Sequence, residues 1–251
     1  MVRPEIKSTV EQIRARFDAD VERFSNLETG QTATMDAPLV LEIVARTAIA
    51  VTPHAVDLLD IGCGAGNWTL RLMAELRAAG RTQILNAILL DLSRPMLERA
   101  VQRVSAATPG RVTALQGDIR EVALAPASAD VIVAAAVLHH LRTDAEWEAV
   151  FAKCFAALRP GGSFWISDYI CYDDPAVQAV QWRRFGEYLV ASRGGAAGEA
   201  YRDKIFAYID AEDTPRSSEF QTKLLSRVGF ADVTVLHKNA VFAALGGVRR
   251  A

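Results

Sequence analysis

The side chains able to do chemistry occur in a fixed order along the chain. Asp60 closes the apolar run Val56-Asp57-Leu58-Leu59-Asp60-Ile61, and Gly62-Cys63-Gly64-Ala65-Gly66 follows at once. Glycines at alternate positions let the backbone turn tightly and let a ligand reach main-chain N–H groups with no Cβ in the way. The spacing is GxGxG, not the GxGxxG of dinucleotide folds. An acid directly before the turn suits a cationic ligand group better than a pyrophosphate. Asp91 ends the next apolar run, Ile84 to Leu90, where a carboxylate can accept hydrogen bonds from two neighbouring hydroxyls. Gly117-Asp118-Ile119 follows Val112 to Gln116, and His139-His140 follow the apolar stretch that reaches Leu138. Either imidazole could serve as a general base or as a donor to a substrate. Asp168-Tyr169 close a further apolar run, while Trp182-Arg183-Arg184 and Tyr201-Arg202 could supply stacking and an anion clamp.

Each of these has a structural alternative. Asp60 can cap a helix, Asp91 can simply end a strand, and a Gly-Asp pair is common turn chemistry. A histidine after an apolar strand often bonds a backbone carbonyl, Asp168 can be an N-cap, and aromatic side chains most often pack in a core.

The stretch Asp60-Ile61-Gly62-Cys63-Gly64-Ala65-Gly66 resembles the first signature of class I S-adenosylmethionine-dependent methyltransferases. Asp91, Gly117-Asp118 and Leu158-Arg159-Pro160-Gly161-Gly162-Ser163 resemble its later signatures, in order, over roughly residues 55 to 170. The resemblance implies S-adenosyl-L-methionine as cofactor. Its amino-acid end would be held by Asp60, Gly62, Cys63, Gly64 and Gly66, and its ribose by Asp91. Gly117, Asp118 and Ile119 would meet the adenine, with Leu92, Met96 and Ala135 completing the site. His139, His140 and Asp168 are the catalytic candidates; Tyr169, Trp182, Arg183, Tyr201 and Arg202 are the candidates for substrate contact. A Leu-His-His-Leu tetrad like Leu138 to Leu141 occurs in methyltransferases of different specificity, which favours a structural role for the pair. The segment Phe17 to Phe24 resembles the "FDxxAxxY" cap of small-molecule methyltransferases, with Phe24 where a tyrosine would stand.

The implied reaction is in-line displacement at the sulfonium methyl of the cofactor by a small-molecule acceptor, which is mainly a matter of alignment. Ala134-Ala135-Ala136-Val137 stands where enzymes acting on exocyclic base amines carry [DNS]PP[YF]. A fainter resemblance, to carboxy-S-adenosylmethionine synthase, rests on the "FDxDVxRF" cap and the order of the C-terminal elements; that chemistry needs a cation for the added carboxylate, with Arg202 or Arg183 as candidates. A non-catalytic S-adenosylmethionine-binding subunit is the alternative from another class, and the glycine spacing disfavours a nicotinamide-dependent oxidoreductase.

The elements that must hold these residues read as an α/β fold. From Val56 the chain alternates strand and helix, the pattern of a parallel sheet covered on both faces. The expected architecture is Rossmann-like, a seven-stranded mostly parallel sheet with an antiparallel C-terminal hairpin. Residues 1–54 would form an N-terminal helical cap and 55–170 the cofactor-binding core. Residues 171–213 would form an inserted helical lid, and 214–251 a helix and hairpin completing the core. One amphipathic helix is expected over 5–24, a loop from Leu27, a helix from Pro38 to Ile49, and a helix from Thr214-Pro215 to Gly229. The lid helices should be separated by a glycine-rich break over 194–198, and the hairpin should turn at Lys238-Asn239.

Composition narrows the classes further. A chain of 251 residues, 51% hydrophobic, can bury one full core. A net charge of −2 gives no global field for nucleic acid, so neither nucleic acid nor membrane is expected as a partner; a homodimer stays open. No apolar run approaches the roughly 20 residues that span a bilayer. The N-terminus, Met1 to Lys7, has no signal-peptide core, and three unpaired cysteines fit a reducing, cytoplasmic setting. With only His54 and His237 besides the histidine pair, and neither at ligand spacing, no metal site is expected.

Overall fold

The computed structural model describes residues 7–26, 32–81 and 84–250. Its strands are β1 (Asp57–Ile61), β2 (Asn86–Asp91), β3 (Val112–Gln116), β4 (Ala129–Ala135), β5 (Leu158–Tyr169), β6 (Ala231–Asn239) and β7 (Phe242–Val248). They form one sheet in the order β3-β2-β1-β4-β5-β7-β6. Pairing is parallel from β3 through β5, and β7 runs antiparallel to both β5 and β6. The expected class and closing hairpin are thus present. Because β1 pairs β2 on one side and β4 on the other, the crossovers leave in opposite directions. A crevice therefore opens beyond the carboxyl ends of these strands.

Helices cover both faces. On one face α3 (Ala37–Val51), α4 (Asn67–Ala78) and α5 (Arg94–Ala107) bury Val44, Leu72 and Val104 against Leu58 and Leu89. On the other, α6 (Asp144–Ala157) and α9 (Ser218–Val228) bury Trp147, Phe151, Leu224 and Leu225 against Ile132 and Phe164. Burial of these apolar side chains on both sides drives assembly of the three layers. Local signals set the helix starts: Ser93 caps α5 with Pro95 in its first turn, and Thr143 with Glu146 forms a capping box on α6.

The remaining helices lie over the crevice. They are α1 (Val10–Asp18), α2 (Val21–Ser25), α7 (Pro175–Arg193) and α8 (Gly195–Glu212). Several expectations needed correction. The single N-terminal helix is two, because Asp20 leaves helical geometry (φ −119°, ψ 17°) and its carboxylate accepts from Arg23 Nε at 2.8 Å. The expected helix residues 5–6 and loop residues 27–31 lie outside the described residues.

Only Gly194 separates α7 from α8; residues 195–198 already belong to α8. The last helix starts at Ser218 rather than at Thr214-Pro215. Thr214 is held elsewhere, its N–H donating to His139 O at 2.8 Å and its Oγ1 to Leu141 O at 2.6 Å. Ser217 caps the helix instead. The hairpin turns at Ala240-Val241, where Ala240 takes φ 48°, and not at Lys238-Asn239. Both turn residues are buried in an apolar cluster with Tyr169, Phe185 and Leu189, while Asn239 Nδ2 donates to Asp36 Oδ2 at 2.7 Å. Burial outweighs turn propensity here.

Candidate functional site

The strand tips deliver the first set of residues. Asp60 is the penultimate residue of β1, with 1% exposure, and accepts from Thr69 Oγ1 at 2.7 Å. Burial raises its carboxyl to about 7 against the pull of that bond. Gly62 takes φ +66°, and a Cβ there would stand 2.7 Å from Val137 Cβ, so both conformation and space require glycine. Gly64 has open space where a Cβ would be and borders the cavity beyond the sheet. Its N–H donates to Asp91 Oδ2 at 2.7 Å, while Ser93 N–H donates to Asp91 Oδ1 at 2.8 Å. Burial raises the Asp91 carboxyl to about 6, with those two N–H groups opposing. From α5, Arg103 Nη1 donates to Ala65 O and to Asn67 Oδ1, bracing the turn; no sequence signal singled out this arginine.

These residues border a cavity of about 890 Å³. Gly62, Cys63, Gly64, Asp91, Leu92, Met96, Gly117, Asp118, Ile119 and Ala135 all line it, whereas Asp60 and Gly66 do not. Asp118 is already engaged. Burial pushes its carboxyl up, but hydrogen bonds from Arg120 outweigh that and hold it below the ordinary range.

The second set comes from β5 and the segment after β4. There Leu138–His140 form a short 3-10 turn. Asp168 is saturated: Oδ2 accepts from Leu138 N at 2.7 Å and from His139 N at 3.3 Å, and Oδ1 from Tyr169 N at 2.7 Å and His139 Nδ1 at 2.5 Å. That fixes the ring of His139 with Nε2 directed at Asp213 Oδ1, 3.6 Å away. Asp213 follows α8, a position no motif announced. Burial lowers the His139 imidazole, yet Asp213 and Asp168 together raise it to about 9. His140 is pushed well below the ordinary value, first by burial and then by the neighbouring His139 charge. Burial raises Asp213 to about 6, and His139 opposes.

The walls are largely apolar. Helix α1 presents Val10, Ile13 and Phe17, and α8 presents Ala197, Ala200, Tyr201, Ile205, Tyr208 and Ile209 from one helical face that also carries Lys204. Tyr169, Phe185 and Phe242 close the floor. Arg16 ties these walls together: its Nε and Nη2 donate to Glu212 Oε1 and Oε2, both at 2.9 Å, and Nη2 also bonds the Tyr208 hydroxyl.

Of the expected substrate contacts, Tyr169 and Tyr201 reach the cavity. Trp182, Arg183 and Arg202 do not. Trp182 stacks on Phe206 with centroids 4.2 Å apart, between α7 and α8, and Arg183 and Arg202 border a separate shallow groove.

Known proteins match this arrangement. A family model described as a methyltransferase domain matches residues 58–162. An uncharacterized methyltransferase of Geobacillus kaustophilus is 30% identical over 175 residues, 69% of this chain and 72% of that one. The chain belongs to the S-adenosylmethionine-dependent methyltransferase family. A carboxy-S-adenosyl-L-methionine synthase of Vibrio atlanticus is 34% identical over 127 residues, about half of each protein. The structure of the DhpI–SAH complex shares the fold with a TM-score of 0.61, 18% identity, and coverage of 96% of this chain and 97% of that one. The methyltransferase uses S-adenosyl-L-methionine. The residues on the cavity fit it: an open glycine turn at Gly62 to Gly64 and the buried Asp91 carboxylate are groups that a nucleoside with a polar tail can meet. Among the described residues no helix is long and apolar enough to cross a membrane.

Proposed function

We propose that this methyltransferase acts on a compact, largely apolar small molecule carrying one protic heteroatom. The observation that supports this is the polarity of one cavity. The cofactor-type turn lies on one side, a histidine–carboxylate cluster on another, and aromatic and aliphatic side chains between them. Apolar walls with a few convergent polar groups are the usual form of a small-molecule site.

In this reading Asp60 and the turn from Gly62 to Gly66 hold the amino-acid end of the cofactor. Asp91 accepts from the ribose, and Gly117 to Ile119 border the adenine, with Leu92, Met96 and Ala135 beside it. When bound, S-adenosylmethionine supplies a methyl group on an already good leaving group. The chain therefore has to orient the acceptor and exclude water. Tyr169 and Tyr201 orient the acceptor from floor and wall. The imidazoles of His139 and His140 face the acceptor heteroatom from the segment after β4. Asp168 acts through His139 and is a positioning residue.

The carboxy-S-adenosylmethionine synthase reading has less support. Arg183 and Arg202, the cations named for it, lie outside the cavity, and Arg16 is committed to Glu212, so that chemistry would have to draw on Arg193 or Lys204 instead.

The test is production of S-adenosylhomocysteine when the enzyme and cofactor are offered a panel of hydroxylated, amine and thiol-bearing small molecules. Turnover with apolar ring-bearing acceptors is expected. Turnover only with tRNA or protein would refute the reading, as would conversion of the cofactor itself in the presence of prephenate.

A further inference from the structure

We propose that His139, His140 and Asp213 bind a divalent first-row transition metal ion at the acceptor end of the cavity, leaving one coordination position open toward the acceptor. The inference rests on the acceptor-site reading above. His139, His140 and Asp213 each offer one donor atom, and these atoms all lie within 4.8 Å of one another. Asp213 Oδ1 is 3.3 Å from His140 Nδ1 and 3.6 Å from His139 Nε2. Ligands about 2.0–2.1 Å from a tetrahedral ion are separated by edges of about this length.

The polar atoms of the cluster are not satisfied by one another. Asp213 Oδ1 and both ring nitrogens of His140 are buried without a hydrogen-bond partner, although the Asp213 side chain is only 3% exposed. Buried polar atoms are nearly always partnered, so Asp213 Oδ1 and the His140 Nδ1 that faces it at 3.3 Å, both unpartnered, point to a bound group between them. Two imidazoles and a carboxylate, with a fourth side facing the cavity, is the donor set of open zinc and iron sites rather than of magnesium or calcium.

The surroundings are those of a metal ligand as well. Metal-bound histidines almost always donate their other ring N–H to a carboxylate, which fixes the tautomer. Asp168 does this to His139 and is itself held by three backbone N–H groups. The three donor residues also come from rigid places: a 3-10 turn after β4, and the end of α8, which Thr214 pins to His139 and Leu141.

The experiment uses the full chain, stripped with a chelator, and titrates Co²⁺ while following its visible absorption, then Zn²⁺ by competition. S-adenosylhomocysteine binding is measured on every sample as a separate readout of fold and cofactor site. One equivalent of Co²⁺ should bind with the intense bands of a four-coordinate ion and be displaced by Zn²⁺. His140→Phe and Asp213→Asn should abolish the bands while leaving S-adenosylhomocysteine affinity within about twofold. Asp168→Asn should weaken Co²⁺ binding by about 10–100-fold, the usual effect of losing an outer partner. Absence of the bands in the unsubstituted protein would overturn the proposal, as would equal Co²⁺ binding by His140→Phe and Asp213→Asn. Metal binding without turnover on any small molecule would instead count against the functional reading alone.

Discussion

The carboxylate of Asp91 and the backbone N–H of Gly64 are joined at 2.7 Å, so the tip of β2 and the turn after β1 form one unit. The turn's shape therefore depends on the acid that is placed to hold the ribose. Asp91→Ala removes an acceptor for the ribose and leaves two backbone N–H groups without their partner. Each charge-assisted hydrogen bond contributes about 1.5–3 kcal/mol, so cofactor affinity should fall by about 10–100-fold or more. Thermal shift with S-adenosylhomocysteine measures this; an undiminished shift would remove Asp91 from the site.

Asp60 and Asp91 also predict how affinity depends on pH. Both carboxyls are raised from an ordinary value of 3.8, to about 7 and about 6, chiefly by burial. A raised acid binds more protons in the folded state, so its contribution to stability is present at low pH. That contribution is lost as pH rises from about 4 to about 7. Binding of the cofactor's ammonium and ribose favours the ionised forms. S-adenosylhomocysteine affinity should therefore increase as pH rises from about 5.5 to 7.5, by on the order of tenfold. The increase should be smaller in Asp60→Asn. Calorimetric titration across that range checks it, and a flat profile in the unsubstituted protein would contradict the assignment.

Much of this was legible in the chain. Alternation of apolar runs with capped helices gives the sheet, and the positions of Asp60, Asp91 and the glycine turn follow from strand ends. What was not legible depends on contacts distant in sequence. Asp213 meets His139 across 74 positions and carries no local signal, so the histidine pair alone gave no reason to expect three donor groups together. Trp182 and Arg202 illustrate the converse: aromatic and basic residues on a helix say nothing of which face meets the crevice. Likewise, Lys238-Asn239 has good turn chemistry, yet the buried Ala240-Val241 takes the turn because the lid's apolar cluster needs them.

Gly62 offers a sharper test of local geometry. An alanine there would be forced into φ +66° and would bring its Cβ to 2.7 Å from that of Val137. Left-handed backbone costs about 1–2 kcal/mol for a residue with a side chain, and overpacking about 1–3 more. Gly62→Ala should thus lower unfolding free energy by about 2–5 kcal/mol in urea titrations. Alanine at 137 removes Cγ2, which would lie 2.7 Å away, but keeps the equally close Cβ and leaves the left-handed backbone unrelieved, so Val137→Ala should recover less than half of the loss. Full recovery would show that the side-chain branches, not the backbone approach, set the cost.

Arg16 predicts how the cavity is kept closed. It bridges α1 to the end of α8 through a bidentate pair with Glu212, and its guanidinium lies 4.0 Å over the Tyr208 ring. The Glu212 side chain is 8% exposed, so Arg16→Ala would leave a buried carboxylate without its cation. That should cost about 1–3 kcal/mol, and it should loosen α1, whose remaining ties include its packing on α5 and the Ser93 Oγ bond to Asp18 Oδ1. Amide exchange should therefore quicken over residues 10–18 and 205–212 while β1 and β4 stay protected. KM for the acceptor should rise more than kcat falls, because the apolar wall from Val10 to Phe17 is what α1 adds to the cavity. If α1 exchanges no faster in Arg16→Ala, the guanidinium is only a surface tie and the cap is held by Ile13 and Phe17.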